Sequence, residues 1–373
     1  MAQGFDVIII GLGAMGSAAA YHLARSGQRV LGLDRFTPPH AFGSSHGQTR
    51  IIREAYFEHP VYVPMVQRAY ELWTELAKQS HAELFRQTGG LMIGYPDSVV
   101  VSGAKRSAAT HLLPHEILSA HEVRRRFPAL RPADDMIAIL EPRAGILYPE
   151  RCIAAHLALA REHGAILGCE EPVVRWETDG DGVKVITARN TYRAGQIILS
   201  AGSWINSLLP GLKLAFTVER QILFWFEPKR SPALFQPEHC PIHLWQIDGR
   251  HFFYGFPDLG EGVKVACHHD GELTSPEEIR RDVAAEEVEA MRQIVRRFLP
   301  DADGPLRSAT VCLYTNTPDE HFWIDRHPTC PQVIIASPCS GHGFKFSSVI
   351  GEILANLVCD GHSRFDLALF RHR

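Results

Sequence analysis

A glycine-rich segment near the start of the chain has the residue types and the spacing of a dinucleotide-binding loop. Glycines stand at positions 11, 13 and 16, directly after the β-branched run 6–10. Such glycines allow a tight turn, a close approach of backbone to a pyrophosphate and close packing of helix on strand, while the helix N-terminus attracts the phosphates. Asp34, 18 residues after Gly16, is placed to accept a hydrogen bond from a ribose hydroxyl. The pattern predicts a dinucleotide site rather than a glycine turn without a ligand, and it leaves NAD and FAD both open.

A second run, close to the C-terminus, predicts an anion-binding turn. Residues 332–336 are apolar and strand-like, residues 340–348 read SGHGFKFSS, and residues 349–358 have the apolar spacing of a helix. Backbone N–H groups at a helix start stabilise the negative charge that a flavin acquires at its N1/C2 edge. An ordinary strand–loop–helix connection explains the spacing equally well, but Lys345 favours the anion, because a cation in the first turn opposes the helix dipole. An NAD dehydrogenase has no use for this second helix start, so FAD is favoured.

A lysine and a histidine share one face of a third run. Period-2 alternation in residues 262–269 places Lys264 and His268 on one side and the apolar residues on the other. Lysines are few, only seven among the 38 basic residues, so those inside apolar motifs are harder to assign to the surface. The alternatives are that Lys264 extends from an edge strand to solvent and that His268 is a polar residue with ordinary hydrogen bonds.

Three longer runs carry a resemblance to a known family. Residues 43–56, 308–325 and 340–348 resemble, in sequence and in order, the monomeric sarcosine oxidase and N-methyltryptophan oxidase family, and the likeness extends from the first strand to the final helix. The resemblance implies an FAD-dependent oxidase of N-methyl or other secondary amino acids. In such an enzyme a hydride passes to flavin N5, O2 becomes H2O2, and hydrolysis of the imine releases formaldehyde when an N-methyl group is oxidised.

The resemblance also implies how the cofactor and the substrate carboxylate are held. It implies a thioether between Cys312 and the 8α-methyl carbon of FAD, although a buried structural cysteine is the common fate of a free thiol. Cys339 is a rival neighbour of the flavin, in a Pro338-Cys339 pair that departs from the small residues expected there. Arg53 and Lys345 correspond to a carboxylate clamp, and an ordinary salt bridge is the alternative for Arg53.

The other implied roles concern oxygen and the substrate pocket. Lys264 corresponds to a lysine beside flavin N5, where a cation compensates the charge that develops on O2, although burial should lower its pKa. His268, Tyr254 and Tyr314 correspond to pocket positions, and His46 is kept as an auxiliary residue. The cofactor-binding residues expected from the fingerprint and the resemblance together are Gly11, Gly13, Ala14, Met15, Gly16, Asp34, Arg35, Ser44, Thr49, Arg50, Val173, Ala201, Gly202, Trp204, Cys312, Gly341, His342, Gly343, Phe344 and Lys345.

The elements that position these residues are predicted to form two discontinuous domains of an α/β protein. A Rossmann-like FAD-binding domain of the glutathione-reductase type is expected from segments 1–85, 150–215 and 321–373. A substrate domain built on a mixed β-sheet is expected from segments 86–149 and 216–320. Because the nucleotide-binding pieces are scattered along the chain and flexible Gly/Ser linkers are absent, one rigid two-domain body is expected.

Composition excludes several other classes of protein. The formal net charge of -4 leaves no basic surplus for nucleic-acid binding. The eight cysteines show no CxxC pair and no zinc spacing, so we expect a reducing compartment and no metal. No run approaches the roughly 18 apolar residues of a membrane span, and no basic leader precedes the first strand. We expect a cytoplasmic monomer whose partners are a small secondary amino acid and O2.

Two other functions remain open at this stage. One is a flavin-dependent amino acid oxidase or dehydrogenase of another kind, acting on pipecolate, proline or D-amino acids and holding its FAD without a covalent bond. The other is a flavin-carrying protein without turnover.

Overall fold

The computed structural model describes residues 4–212 and 216–371. Three short ranges lie outside the described residues: 1–3, 213–215 and 372–373. They stand at the start or the end of the three segments expected for the FAD-binding domain. The strands, in chain order, are β1 (Gly4–Ile10), β2 (Val30–Leu33), β3 (Arg50–Ile52), β4 (Phe85–Gln87), β5 (Gly90–Gly94), β6 (Glu116–Ser119), β7 (Ile137–Glu141), β8 (Gly145–Leu147), β9 (Ile166–Gly168), β10 (Val173–Asp179), β11 (Gly182–Thr187), β12 (Thr191–Leu199), β13 (Thr217–Phe226), β14 (Ile242–Gln246), β15 (Phe252–Phe256), β16 (Val263–His268), β17 (Leu273–Thr274), β18 (Leu306–Asn316), β19 (Trp323–His327) and β20 (Cys330–Ser337). The α-helices are α1 (Ala14–Arg25), α2 (Tyr62–Ser80), α3 (Val99–Thr110), α4 (Ala120–Arg126), α5 (Pro149–Glu162), α6 (Ala285–Phe298) and α7 (Ser347–Cys359).

The first sheet contains the dinucleotide fingerprint. Strands β9, β2, β1, β12 and β20 are parallel neighbours in that order, and the β10–β11 hairpin and β19 add antiparallel edges. The run in β1 is continuously apolar because a central parallel strand is buried on both faces. This sheet confirms the predicted Rossmann-like α/β fold.

Helices cover the first sheet and aim one helix end at its carboxyl edge. Helix α1 packs against α5 and α7, and a Cβ on Gly351 of α7 would lie 2.6 Å from the backbone of Ala18 in α1. The amphipathic α2 buries the face predicted for it, including Trp73, against the same apolar core. The third glycine of the fingerprint allows α1 to pack closely on β1. The N-terminus of α1 therefore lies at the carboxyl end of that strand.

The second sheet is mixed, as predicted for the substrate domain. Its order is β17-β13-β16-β15-β14-β5-β7-β6, with β18 also paired to β13; β14 and β5 are parallel and the other pairs are antiparallel. One face packs on α6, where Met291, Val295 and Phe298 are buried. Lys264 and His268 of β16 point away from this core, toward the first sheet.

A small third sheet lies between the two large ones. Strand β8 pairs with both β3 and β4, so the chain passes from one large sheet to the other through this ribbon. Arg50 begins β3 and Arg53 follows its end. We propose the two discontinuous domains of the sequence analysis as the division of the chain, because each large sheet collects its strands from the expected segments. Among the described residues, no helix has both the length and the apolar character that crossing a membrane requires.

Candidate active site

A cavity of about 430 Å³ lies where the carboxyl edge of the first sheet meets the open face of the second. Residues from both sheets line it. It brings together most of the residues that the sequence singled out, although they come from distant parts of the chain. The predicted residues that line it are Gly11, Gly13, Ala14, Met15, Asp34, Arg35, Ser44, Arg50, Arg53, Val173, Ala201, Gly202, Trp204, Tyr254, His268, Cys312, Tyr314, Gly341, His342, Gly343, Phe344 and Lys345. Gly16, His46, Thr49 and Lys264 are not part of the lining.

The nucleotide end of the cavity has the features that a dinucleotide requires. Helix α1 begins after Gly13 with no side-chain cap, so its first N–H groups remain free for an anion. Gly11 has φ +94°, and a Cβ there would lie 2.6 Å from the Ser200 carbonyl oxygen. A Cβ on Gly16 would lie 1.8 Å from the Gly11 carbonyl oxygen, so Gly16 serves packing rather than the cavity wall. Glycine is therefore the only residue that fits at positions 11 and 16 of this turn.

The acidic residue at the end of β2 is fixed beside this loop. One oxygen of Asp34 accepts from the Leu12 N–H at 2.7 Å, and the other accepts from the Phe36 N–H at 2.8 Å. Arg35 and Trp204 stack nearby, with the guanidinium carbon 4.9 Å from the ring centroid. The free helix end, the glycine turn and this fixed carboxylate together fit FAD.

Cys312 faces the cavity from β18. Arg50 donates to its sulfur at 3.7 Å and also to the carbonyl oxygens of Thr49 and Ser44, at 2.8 and 2.7 Å. A thiol that lines the cavity beside a guanidinium is suited to bind a cofactor. Cys339 also lines the cavity and remains a second thiol next to the same space.

Arg53 and Lys345 meet at the opposite end of the cavity. Arg53 is 2% exposed and donates from Nη2 to both carboxylate oxygens of Glu58 at 2.8 Å. The Lys345 ammonium donates to the His342 carbonyl oxygen at 2.7 Å and to the Tyr56 hydroxyl at 3.3 Å. Burial, reinforced by Arg53, lowers the pKa of Lys345 to about 7. Two buried cations on one wall form a site for an anion.

The position of Lys345 differs from the prediction in one respect. Helix α7 begins at Ser347, and Lys345 lies in the one-turn 3-10 helix Phe344–Phe346 that precedes it. The expected place in the first turn of the helix is therefore wrong. The anion site instead depends on burial of the ammonium and on its closeness to Arg53.

Glu58 and Tyr56 are site residues that sequence reasoning missed. Glu58 lines the cavity and holds Arg53, so the salt-bridge alternative for Arg53 is present inside the site rather than on the surface. Tyr56 connects Lys345 to the ring of His342, whose Nδ1 lies 2.5 Å from the tyrosine hydroxyl. The only signal was a carboxylate five residues after an arginine in a loop, which is too common to be informative.

Lys264 lies behind the cavity wall and does not extend to solvent. Its ammonium donates to the Gly47 carbonyl oxygen at 2.6 Å and to the carbonyl and hydroxyl oxygens of Thr49 at 3.0 and 2.9 Å. These three bonds use all the donors of an ammonium group. Burial holds the pKa of Lys264 well below its usual range, and the positive charge of the nearby Arg50 lowers it further. The solvent-exposed alternative for this lysine is wrong.

His46 lies in the same buried layer. Burial, followed by the charge of Arg50, lowers the pKa of His46 to about 3. Its Nε2 atom has no hydrogen-bond partner among the described residues. The ring is therefore neutral and keeps one unused polar atom near the cavity.

Aromatic and imidazole rings form the wall between the two ends of the cavity. The Nδ1 atom of His268 lies 3.2 Å from the Tyr314 hydroxyl. The side chains of Tyr254 and Tyr314 are hydrogen-bonded to each other. Burial keeps the pKa of His268 well below its ordinary value and raises that of Tyr314. Gly341, with φ +75°, lets its loop approach this wall, since a Cβ would lie 2.5 Å from the Tyr314 ring. The wall is therefore buried, and its titratable groups favour their uncharged forms.

Comparison with known proteins gives matches over nearly the whole chain. The model of the family described as FAD dependent oxidoreductase matches residues 6–357. The chain is 48% identical to a monomeric sarcosine oxidase of Streptomyces avermitilis, covering 100% of this chain and 98% of that protein. It is 35% identical to an N-methyl-L-tryptophan oxidase of Yersinia pestis, with 98% of each chain covered. The solved structure of NikD, an unusual amino acid oxidase essential for nikkomycin biosynthesis, matches with a TM-score of 0.86 at 25% identity, covering 100% of this chain and 98% of that one.

Proposed function

The chain belongs to the family of FAD-dependent oxidoreductases, and from this premise we propose that it oxidises N-methyl amino acids, with O2 as the electron acceptor. The observation that carries the proposal is the convergence of Arg53 and Lys345 on the cavity that also receives Cys312 and the N-terminus of α1. A cofactor end and a carboxylate end thus share one enclosed space. The names of the two sets of relatives support an N-methyl amino acid as the substrate.

The residues at the nucleotide end would hold FAD. The free N–H groups at the start of α1 suit the pyrophosphate, and Asp34 suits a ribose hydroxyl. Cys312 is the residue we propose for a covalent thioether bond. When bound, FAD supplies a two-electron acceptor for the hydride on the carbon beside the substrate amine.

Arg53 and Lys345 would hold the substrate carboxylate. Two of the three ammonium donors of Lys345 are used by His342 and Tyr56, which leaves one for a ligand. Glu58 already occupies Nη2 of Arg53, so a substrate carboxylate must displace it or share the guanidinium with it. Holding the carboxylate at this end fixes the orientation of the amine along the cavity.

The neutral wall would prepare the amine for oxidation. An ammonium cannot release a hydride from its neighbouring carbon until its nitrogen has lost a proton. The uncharged ring of His268 can accept that proton, and burial near Arg53 and Lys345 lowers the pKa of the amine itself. Hydrolysis of the resulting imine then releases formaldehyde from an N-methyl group. We assign His268, Tyr314 and Tyr254 to this part of the site.

The experiment that tests the function is an anaerobic spectral titration of the purified yellow protein. We expect sarcosine or N-methyl-L-tryptophan to bleach the flavin band, and admission of air to restore it with one H2O2 per turnover. Bleaching by proline or pipecolate alone would assign another amine. Bleaching without peroxide would assign a dehydrogenase, and no bleaching by any amine would leave a flavin carrier.

Covalent attachment is tested separately by precipitation with acid. We expect the yellow colour to stay with the precipitated protein and to be lost to the supernatant in Cys312→Ala. Cys339→Ala is the matched control, because this second thiol lines the same cavity. Colour that is released from the unaltered protein would contradict the thioether. We also propose a monomer, as the name of the sarcosine oxidase relatives suggests.

A further inference from the structure

A buried carboxylate outside the described site lies behind the wall of the cavity. Glu219 of β13 is 6% exposed. One of its oxygens accepts from the Gly271 N–H at 2.7 Å and from Gln221, and the other accepts from Asn316 at 2.7 Å and lies 3.4 Å from Nδ1 of His269. Burial alone would favour the protonated acid, but these donors outweigh it, and the pKa of Glu219 lies below its usual range. Glu219 is therefore a fixed negative charge.

His269 is the residue that this charge faces. Its ring also makes a hydrogen bond to the backbone of Ser340, and both contacts favour the charged form of the ring. A histidine whose two contacts both favour the charge is best satisfied with both nitrogens protonated. Burial opposes the charge, but Glu219, Ser340 and Glu320 outweigh it and raise the pKa of His269. The contacts of the ring therefore favour its protonated form.

The backbone at this position makes a left-handed turn. His269 has φ +55°, in a region that few residues other than glycine adopt, although asparagine, aspartate and histidine do so more often than the rest. The next turn returns the chain so that the Gly271 N–H reaches Glu219. This turn therefore places both the Gly271 N–H and the His269 ring against the Glu219 carboxylate.

His269 is not part of the cavity lining, but it contacts two residues that are, His268 and Tyr314. The rings of His268 and His269 lie 4.2 Å apart between centroids, and both contact the Tyr314 ring. The charged and titratable groups that face His268 are His269, Glu58, His342, Lys345 and Tyr314. Of these, His269 lies outside the cavity lining, and when protonated it places a positive charge beside His268.

We propose that Glu219 and His269 form a positioning pair, in which Glu219 holds the protonated ring of His269 against the ring of His268, where its charge adds to the effect of burial in keeping His268 uncharged. This inference rests on the proposed function, because the uncharged ring is the one that accepts the amine proton. The Ser340 contact extends the pair to the loop that carries Lys345. The pair thereby connects β13 to His268 in the cavity wall and to the loop that precedes Lys345.

The test begins with NMR titration of the FAD-loaded protein, containing labelled histidine, in the absence of substrate. We expect His269 to stay doubly protonated at neutral pH while His268 stays neutral. Asparagine tolerates left-handed backbone, so His269→Asn removes the charge with little added strain. In His269→Asn the titration of His268 should move to higher pH, and in Glu219→Gln the His269 ring should lose its proton at lower pH.

The pH profile of turnover gives a second readout. With sarcosine, the acid limb of the kcat/KM profile should move to higher pH in His269→Asn, whereas kcat/KM at pH 9 should change by less than about twofold, because only the acid limb depends on His268. His269→Lys should reverse part of this shift by restoring the charge. The control His121→Asn alters an exposed histidine on α4 and should follow the unaltered profile.

Failure of the pair can be told apart from failure of the proposed function. A neutral His269, or a His268 titration that does not respond to His269→Asn, overturns the pair even if the protein is an active oxidase. A charged His269 that controls His268 supports the pair even if another amine proves to be the substrate. If His269→Asn fails to fold, Glu219→Gln carries the same NMR comparison.

Discussion

At the scale of single residues, basic side chains that are buried or half-buried surround the cavity. Arg50, Lys264 and Lys345 make their hydrogen bonds to uncharged groups, and among the described residues only Arg53 of this set is paired with a carboxylate. Cations in a dry site that lack bound counterions attract anions strongly. A phosphate-bearing cofactor and a carboxylate substrate are the ligands that satisfy this charge.

Lys264→Met tests the role in oxygen reduction that the family resemblance implies for Lys264. We expect the rate of O2 consumption at saturating sarcosine to fall roughly a hundredfold, since removal of one preorganised charge commonly costs this much. Anaerobic bleaching by sarcosine should persist. Lys105→Met, at an exposed position on α3, is the control. Unchanged O2 consumption in Lys264→Met would remove the assigned role.

The pKa of Lys345 predicts how carboxylate binding depends on pH. The ammonium attracts an anion below pH 7 and loses its charge as the pH rises through about 7. The affinity for propionate, which has no amine to oxidise, should therefore fall by up to about tenfold per pH unit above that point. Lys345→Met should bind propionate weakly at all pH values. A flat profile for the unaltered protein, measured by spectral titration, would contradict the clamp.

At the scale of elements, the cofactor end depends on how α1 is seated. Its N-terminus has no side-chain cap, so the position of the helix decides where its free N–H groups point. Helix α7 packs directly on α1 at Gly351 and Ala18, at a distance that allows no Cβ on Gly351. Sequence periodicity predicted both helices but not this contact.

Gly351→Ala tests the contact between α1 and α7. The added methyl would meet Ala18 backbone at 2.6 Å, and rigid backbone cannot yield as a flexible side chain can. We expect a loss of about 1–3 kcal/mol in unfolding free energy, which exceeds the gain of about 1 kcal/mol from helix propensity. Gly249→Ala, at a loop position with open space, should change stability little. Urea unfolding measures both, and equal stability of the two variants would refute the close contact.

At the scale of the whole molecule, the cavity lies between two sheets that share one apolar core and each bury a further core of their own. A ligand in this position contacts both parts and therefore stabilises the folded state of the molecule as a unit. The three-stranded ribbon between the sheets carries Arg50 at its first position, so the same connection also positions a cation beside the cofactor end.

Cys312→Ala allows the stabilisation of the folded protein by bound FAD to be measured. If FAD is held only reversibly in the variant, its stability should increase by about 2.7 kcal/mol when free FAD exceeds the dissociation constant a hundredfold. The melting temperature of the variant should rise with added FAD, while that of the unaltered protein should not respond. A response of equal size in both proteins would show that neither holds the cofactor covalently.

Local patterns in the sequence were enough to predict the fold and the nucleotide end of the site. The glycine fingerprint, the apolar run of β1 and the alternation in β16 are properties of a few consecutive residues, and backbone geometry alone relates them to structure. The long motifs that resemble a known family brought Arg53, Cys312 and Lys345 into one hypothesis.

Other parts of the site were decided by tertiary structure alone. The contact of Glu58 with Arg53, the three oxygen partners of Lys264 and the pairing of Glu219 with His269 all join residues whose closeness depends on strand register and loop path. The protonation of buried groups is equally inaccessible to pattern, because it depends on the total of burial and neighbouring charge at one point in space. Alternation told us which way the His268 side chain points, but only the folded chain brings a second, charged ring against it.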